Sequence, residues 1–259
     1  MDSAASPLTV VVPCYNEAKR LDEAPLLELL GREPGTTILF VDDGSTDATP
    51  DRLRQIVAAR PAQIDVHTQR PNAGKSEAVR KGMQVALARG AGLVGYLDAD
   101  LSTPPAELAR LREPLLASPH VEVVLGARVA LLGTDIERTA MRHYLGRVFA
   151  SAASLILRAR VYDTQCGAKL FRATPGLVAA LETPFISRWA FDVELLGRLL
   201  AGSPSVPALP LSAIVEVPLT TWHDIKGSKL SPLAMARTLA ELGRIATDLS
   251  GRRRRARST

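Results

Sequence analysis

The sequence contains no long hydrophobic run. A membrane-spanning helix needs about 20 consecutive apolar residues, and this 259-residue chain has no run of about 18 or more. The first apolar segment, residues 8–12, is too short for the core of a signal peptide and has no basic residues before it. We therefore expect no spanning helix, no secretion and a cytoplasmic location.

Cysteine is also scarce. The two cysteines, Cys14 and Cys166, lack the spacing of metal ligands, which favours reduced thiols in a cytosolic enzyme. No Gly-x-Gly-x-x-Gly pattern follows the first predicted strand, which argues against an NAD-binding Rossmann protein. Internal repeats are absent as well. The remaining composition, 46% hydrophobic and 23% charged, is ordinary for a globular protein that buries one core.

Strand and helix patterns alternate through the first half of the chain. Strand-like runs cover residues 8–13, 37–42, 63–68, 93–97 and 121–127, and helical patterns cover residues 21–31, 47–59, 73–90 and 104–117. This alternation predicts an α/β fold with a mainly parallel sheet flanked by helices. Asp47 is a plausible N-cap for the second helix. Beyond residue 126 we expect helices over about 135–158 and 187–201 and a strand over 214–217, which complete the sheet.

Two carboxylates follow the fourth predicted strand. Asp98 and Asp100 come directly after residues 93–97, and alternation of side chains along a strand can point both the same way. Hard oxygen ligands at the carboxyl edge of an α/β sheet suit Mg²⁺ or Mn²⁺. The alternative is a turn rich in Asp, a common turn residue.

Three further polar segments follow predicted strands. Residues 13–17 are Pro-Cys-Tyr-Asn-Glu, residues 41–47 are Val-Asp-Asp-Gly-Ser-Thr-Asp, and residues 72–75 are Asn-Ala-Gly-Lys. All should lie along one rim of the sheet. In this order, together with Asp98-Ala99-Asp100, they resemble the motifs of the family 2 glycosyltransferases, which have the GT-A fold.

The second half carries the resemblance further, so that it covers about residues 8–245. The similar segments are residues 124–128, 163–171, 189–196 and 227–229. The Asp-Thr-Gln-Cys-Gly box that starts at residue 163 is similar to that of polyprenyl-phosphate hexose synthases, most of all the dolichyl-phosphate β-glucosyltransferase branch. The mannosyltransferase branch usually has Gln where this chain has Ser102, which leaves the third protein ligand of the metal open.

The resemblance implies a single GT-A domain over residues 8–230, with a nucleotide-sugar half (8–125) and an acceptor half (126–230). Residues 1–7 are expected to be flexible. The implied activity is inverting, metal-dependent transfer of a hexose from UDP-glucose to a polyprenyl phosphate. The alternatives are GDP-mannose as donor, a hydroxyl acceptor with Asp192 as base, and a nucleotide-sugar-binding module without catalysis.

Site residues are carried over onto matching positions. The nucleotide-sugar site would consist of Pro13, Tyr15, Glu17, Val41, Asp43, Lys75, Asp98, Ala99 and Asp100. In this scheme Asp43 contacts the base and Tyr15 stacks on it, while Pro13 and Val41 form the floor. Lys75 precedes a helix, where an anion is favoured, although a solvated surface lysine is the ordinary alternative. Asp42 would support the loop.

Four more groups would hold phosphates. Arg128, Lys169, Ser228 and Lys229 together could hold a leaving diphosphate and an incoming lipid monophosphate; the alternatives are ordinary loop charges and, for Arg128, a salt bridge at the rim. The predicted catalytic residues are Asp100, Arg128 and Asp192. A phosphate monoester is already largely ionised near neutral pH, so Asp192 would then position groups rather than act as a base.

The C-terminal segment combines an apolar stripe with a basic tail. The helix expected over residues 231–250 carries Met235, Leu239, Leu242, Ala246 and Leu249 at helical spacing, and residues 251–259 hold five arginines. We expect the stripe to pack on the domain and the arginines to meet an anionic membrane surface. This predicts a peripheral protein on the inner face of the membrane, with no nucleic-acid partner.

Overall fold

The computed structural model describes residues 7–136, 140–223 and 232–257. The strands are β1 (Leu8–Cys14), β2 (Thr36–Asp42), β3 (Ile64–Thr68), β4 (Leu93–Leu97), β5 (Val123–Ala127), β6 (Asp135–Ile136), β7 (Ala168–Arg172), β8 (Ile214–Pro218) and β9 (Thr221–Trp222). The helices are α1 (Ala24–Arg32), α2 (Thr49–Ala59), α3 (Lys75–Ala88), α4 (Glu107–Ala117), α5 (Ala140–Leu157), α6 (Pro175–Glu182), α7 (Phe191–Ala201) and α8 (Pro232–Arg257).

Seven of the strands form one sheet in the order β3-β2-β1-β4-β7-β5-β8. The neighbours of β1 and β2 are parallel to them, and β8 is parallel to β5. Only β7 runs antiparallel, inserted between β4 and β5. This mixed, mainly parallel sheet confirms the predicted fold class. β7 overlaps the segment at residues 163–171, which the sequence marks by its motif rather than by a strand pattern.

Two hydrophobic layers cover the sheet, because successive strand side chains point to opposite faces. Val10 and Val12 of β1 pack with α1, α2 and α4, whereas Val11 packs with α3 and with α5 to α8. The parallel strands are nearly continuous apolar runs, as expected for a sheet buried on both sides. No helix in the described part of the chain is long and apolar enough to cross a membrane.

Several helix ends differ from the sequence expectation. Residues 135–136, expected to begin a helix, form β6, and the helix expected from residue 187 begins at Phe191. The N-cap of α2 is Ala48, so the prediction for Asp47 was wrong by one position, although its carboxylate accepts a hydrogen bond from the Thr49 amide at 2.9 Å. α8 continues to Arg257 instead of ending near residue 250. Arginine is a good helix former, and positive charge is favourable at a helix C-terminus, which accounts for the extension.

Candidate active site

A cavity of about 680 Å³ opens at the carboxyl ends of β1 and β4 and extends toward α5 and α7. Parallel strands bring their carboxyl ends to one edge of the sheet, so residues distant in sequence meet there. The cavity is lined by ten residues assigned to the site from the sequence: Pro13, Tyr15, Glu17, Asp43, Lys75, Asp98, Ala99, Asp100, Arg128 and Asp192.

The carboxylate pair after β4 sits against a glycine and a lysine. Lys75 Nζ lies 2.6 Å from Asp98 Oδ1, and Asp100 Oδ1 accepts a hydrogen bond from the Ser102 amide at 3.0 Å. A Cβ atom added to Gly167 would stand 2.4 Å from the Asp98 carboxylate, so this position must be glycine. Burial alone would lower the pKa of Lys75, but Asp98, with help from Asp192 and Asp100, raises it, so the lysine stays charged.

The donor set at this point fits a divalent cation shared with a phosphate ligand. Asp98 and Asp100 offer carboxylate oxygens, and the described residues contain no cluster of three His, Cys, Asp or Glu that would enclose a metal completely. Histidine is a common metal ligand, but a described neighbour of His223 is another carboxylate: its Nε2 atom lies 3.4 Å from Asp135 Oδ2. Mg²⁺ is commonly held by one or two carboxylates together with substrate phosphates, which matches two protein ligands beside an open cavity.

Asp43 organises the loop that leads into α3. Its carboxylate accepts hydrogen bonds from the amides of Ala73 and Gly74 at 2.8 and 2.7 Å and from Gln69 Nε2 at 2.5 Å. Asp42 is buried and accepts from the Ser45 amide at 3.0 Å, the loop support expected for it. The contact between Asp43 and the base of the nucleotide stays a prediction. The Asp43 carboxylate lines the cavity, but it already accepts hydrogen bonds from three donors.

Glu17 forms the outer edge of this half of the cavity. Its carboxylate lies 2.8 Å from Arg20 Nη2, and its amide donates to Thr49 Oγ1 at 2.8 Å. Burial raises the pKa of Glu17, and Arg20 partly offsets the rise. The predicted rim is therefore present, and Arg20 adds a cation to it.

Arg128 is held in a bidentate pair on the acceptor side. Its Nε and Nη2 atoms lie 2.6 and 2.8 Å from the two carboxylate oxygens of Asp163, and the guanidinium stands 5.2 Å from the centre of the Trp222 ring. Burial opposes the charge, but Asp163 raises the pKa of Arg128. The rim salt bridge considered from the sequence thus exists, and it fixes a permanent cation at the cavity wall.

Lys169 does not reach the cavity, so its assignment as a phosphate ligand was wrong. β7 directs it beneath the cavity floor, where Nζ lies 2.9 Å from Asp192 Oδ1 and donates to the carbonyl of Cys166 at 2.5 Å. The Tyr96 hydroxyl donates to the same carboxylate oxygen. Burial raises the pKa of Asp192 and lowers that of Lys169.

Val41 also lies elsewhere than expected. It is fully buried in the layer under α3, and a Cβ atom on Gly82 would clash with its side chain, so it does not form the cavity floor. Strand alternation turns Val41 to the side opposite Phe40. Ser228 and Lys229 lie outside the described residues.

Several cavity residues were missed from the sequence. They are Arg20, Arg147, Tyr162, Asp163, Gln165, Arg188, Trp189 and Trp222. Asp163 and Gln165 belong to a box identified from the sequence, and Trp189 begins another, so a motif signal existed for these three. Arg147 lies 4.4 Å from the ring centre of Tyr162, which sequence spacing does not reveal.

The buried Glu194 holds the loop before α7. Its carboxylate accepts from the amides of Ile186 and Ser187 at 2.9 and 3.2 Å and pairs with Arg198 at 2.6 Å. Glu194 therefore has a structural role: it fixes the segment that carries Arg188 and Trp189 to the cavity.

Comparisons with known proteins show the family of this chain. A family model described as glycosyl transferase family 2 matches residues 9–175. A dolichyl-phosphate beta-glucosyltransferase of Dictyostelium discoideum is 31% identical over 248 residues, covering 90% of this chain and 72% of the relative. The human protein of the same name is 33% identical, covering 89% and 72%. A polyprenol monophosphomannose synthase of Mycolicibacterium smegmatis is 29% identical, covering 86% and 80%.

Among solved structures, glucosyl-3-phosphoglycerate synthase of Mycobacterium tuberculosis with Mn²⁺ and UDP-glucose superimposes with a TM-score of 0.66 at 21% identity, covering 95% of this chain and 80% of that one. At this identity the likeness supports the fold. The family match covers most of the chain and includes the strand-end motifs that build the cavity. The chain therefore belongs to glycosyl transferase family 2 and is a glycosyltransferase.

Proposed function

We propose that this enzyme transfers glucose from UDP-glucose to a polyprenyl phosphate, with inversion at the sugar carbon and with Mg²⁺ or Mn²⁺. The observation that carries the proposal is one cavity lined both by a carboxylate pair, Asp98 and Asp100, and by a guanidinium, Arg128, that is held by Asp163. A cation-bound diphosphate and an anionic acceptor would both find complementary charge there. The names of the dolichyl-phosphate glucosyltransferase relatives support the same substrates.

The nucleotide half would bind and neutralise the donor. A cation held by Asp98 and Asp100 would supply charge stabilisation for the departing diphosphate. Lys75, whose pKa is raised, adds a second positive charge at the N-terminus of α3. Tyr15 offers a ring for stacking, and Asp43 offers a carboxylate edge for the base.

The acceptor half would position a phosphate oxygen for attack on the sugar. Both oxygens of Asp163 hold the Arg128 guanidinium, and Arg147 and Arg188 add positive charge to the cavity lining. A planar guanidinium binds a phosphate through paired hydrogen bonds better than an ammonium does. Inversion requires the acceptor to approach the sugar carbon from the side opposite the leaving diphosphate.

The surroundings of Asp192 favour a phosphate acceptor over a hydroxyl. Its Oδ1 atom already accepts from Tyr96 and pairs with Lys169, so this carboxylate is tied to the protein. A hydroxyl acceptor would need a base to remove its proton, whereas a phosphate monoester, with its second pKa at about 6, does not. A GDP-mannose-dependent reaction is the second candidate, favoured by the mannose synthase relative. The acceptor would place the enzyme peripherally on the cytoplasmic face of a membrane.

The test is a donor and acceptor matrix. UDP-glucose and GDP-mannose are each incubated with a short polyprenyl phosphate or the matching polyprenyl alcohol, in Mg²⁺, Mn²⁺ or chelator. We expect a β-linked glucosyl phosphate product from UDP-glucose and the phosphate only, and no product in chelator. Preference for GDP-mannose, or equal turnover with the alcohol, would contradict the donor or the acceptor assignment. Donor binding without any transfer would favour the non-catalytic alternative.

A further inference from the structure

Helix α5 is apolar on two opposite faces. On the inner face, Ala153 and Leu157 are buried in the core shared with α7 and α8. On the outer face, Tyr144, Val148 and Leu155 are 71, 59 and 80% exposed. With Ser151 these residues follow one another at spacings of four, three and four, which places them in a single stripe along the helix. We call this stripe the outer face of α5.

The chain around the outer face is strongly basic. Residues 138–162 contain five arginines and no aspartate or glutamate. Arg158 and Arg160 follow the helix directly and are exposed. An apolar stripe within a basic segment is typical of helices that lie in the headgroup region of anionic lipid.

The basic end of α8 joins the same surface. Arg253 Nη2 donates to the carbonyl oxygens of Ile156 and Leu157 at 3.0 and 3.3 Å, so it closes the C-terminal turn of α5. Arg253 therefore lies beside α5, whereas Arg252 pairs with Asp248 at 2.6 Å. Leu242 and Leu249 of α8 are buried in the core. The described leucines of the α8 stripe are thus buried by the fold, whereas the outer face of α5 is exposed.

The outer face also reaches the cavity. Residues 146–150 of α5 form part of the cavity wall, so the stripe begins at its mouth and runs away from it. We propose that the outer face of α5, with the exposed Arg254 and Arg255 near the end of α8, docks on an anionic phospholipid bilayer. Tyr144 and Leu155 enter the interfacial layer and the arginines meet lipid phosphates. The link to catalysis rests on the proposed function, because docking would present a membrane-held phosphate to the cavity.

The experiment is vesicle co-sedimentation of the full chain, a measurement that needs no turnover. Vesicles of phosphatidylcholine with phosphatidylglycerol are compared with phosphatidylcholine alone, at about 0.15 M and about 1 M salt. We expect binding to the anionic vesicles, weakened by salt, and about a tenfold loss of partitioning for Leu155→Glu. Leu155→Gln, which adds no charge, should lose less than Leu155→Glu.

The matched control is Leu116→Glu. Leu116 is an exposed leucine, 53% accessible, on α4 at the opposite face of the sheet, so this variant should bind vesicles as the wild type does. Transfer to a short, water-soluble acceptor should be unchanged in Leu155→Glu, since Leu155 does not line the cavity. Wild-type vesicle binding by both Leu155 variants would overturn the proposal, as would equal binding to neutral and anionic vesicles. A dimer that Leu155→Glu dissociates, with vesicle binding intact, would reassign the face to a second copy of the chain.

Discussion

Two lysine–aspartate pairs lie within the same site, and their surroundings differ. Lys75 Nζ and Asp98 Oδ1 are 2.6 Å apart at the cavity wall, with side chains 42 and 28% exposed. Lys169 Nζ and Asp192 Oδ1 are 2.9 Å apart beneath it, with side chains 1 and 9% exposed. The two distances are alike. What differs between the pairs is how far solvent and ligand can reach their side chains.

Because the two pairs differ in solvent access, we expect them to have different roles. At the cavity wall, water can replace either partner, so Asp98 can exchange the ammonium for a cation at little cost in stability. Beneath it, both charges have lost their hydration, and Tyr96 and the Cys166 carbonyl hold them in place. Removing one member there leaves the other uncompensated. The exposed pair is therefore suited to binding a ligand, and the buried pair to holding the shape of the floor.

The largest expected effect comes from the exposed pair. Asp98→Asn should reduce transfer by roughly 10³-fold, because it removes a carboxylate from the proposed cation site while keeping the side-chain shape. Steady-state turnover in Mn²⁺ and a melting curve measure the two consequences. Asp65→Asn is the control, since Asp65 pairs with Arg89 on the surface, away from the cavity. Turnover close to wild type in Asp98→Asn would remove this carboxylate from the proposed cation site.

The buried pair should instead dominate stability. Lys169→Met should lower the free energy of unfolding by about 3–5 kcal/mol, since it leaves Asp192 buried without its cation. Lys75→Met should cost less than about 1 kcal/mol, as its carboxylate partner remains hydrated. Urea unfolding of both variants gives the comparison directly.

The double variant Lys169→Met with Asp192→Asn is the control for the stability loss in Lys169→Met. It removes both charges, so much of the lost stability should return. If Lys169→Met and Lys75→Met cost the same, burial is not what separates the two pairs.

The smallest effect is expected for Asp192→Asn with a phosphate acceptor. Transfer to a short polyprenyl phosphate should fall less than about tenfold, whereas general-base catalysis on a hydroxyl would cost about 10² to 10⁴. Turnover at saturating donor, with a melting curve to confirm folding, separates the two. A loss in the larger range would show that Asp192 does more than hold the floor.

The strand-end motifs made much of the site predictable. Local periodicity placed β1, β2 and β4, and a parallel sheet must gather the residues after them at one edge. Arg128 was likewise placed at a strand end, but its partner Asp163 is 35 residues away, and no local pattern shows that contact. The loop contacts of Asp43 were equally hidden, because their donors follow β3.

By itself the sequence determined the α/β alternation, the carboxylate pair after β4 and the basic C-terminal end, since each depends on spacing along one segment. Tertiary structure decided which way a side chain faces once strands pair. Lys169 belongs to a cavity motif yet lies beneath the floor, because β7 enters antiparallel between β4 and β5 and its register sets that face. The apolar face of α5 was decided in the same way, because packing against α7 and α8 covers one side of the helix and leaves the other exposed.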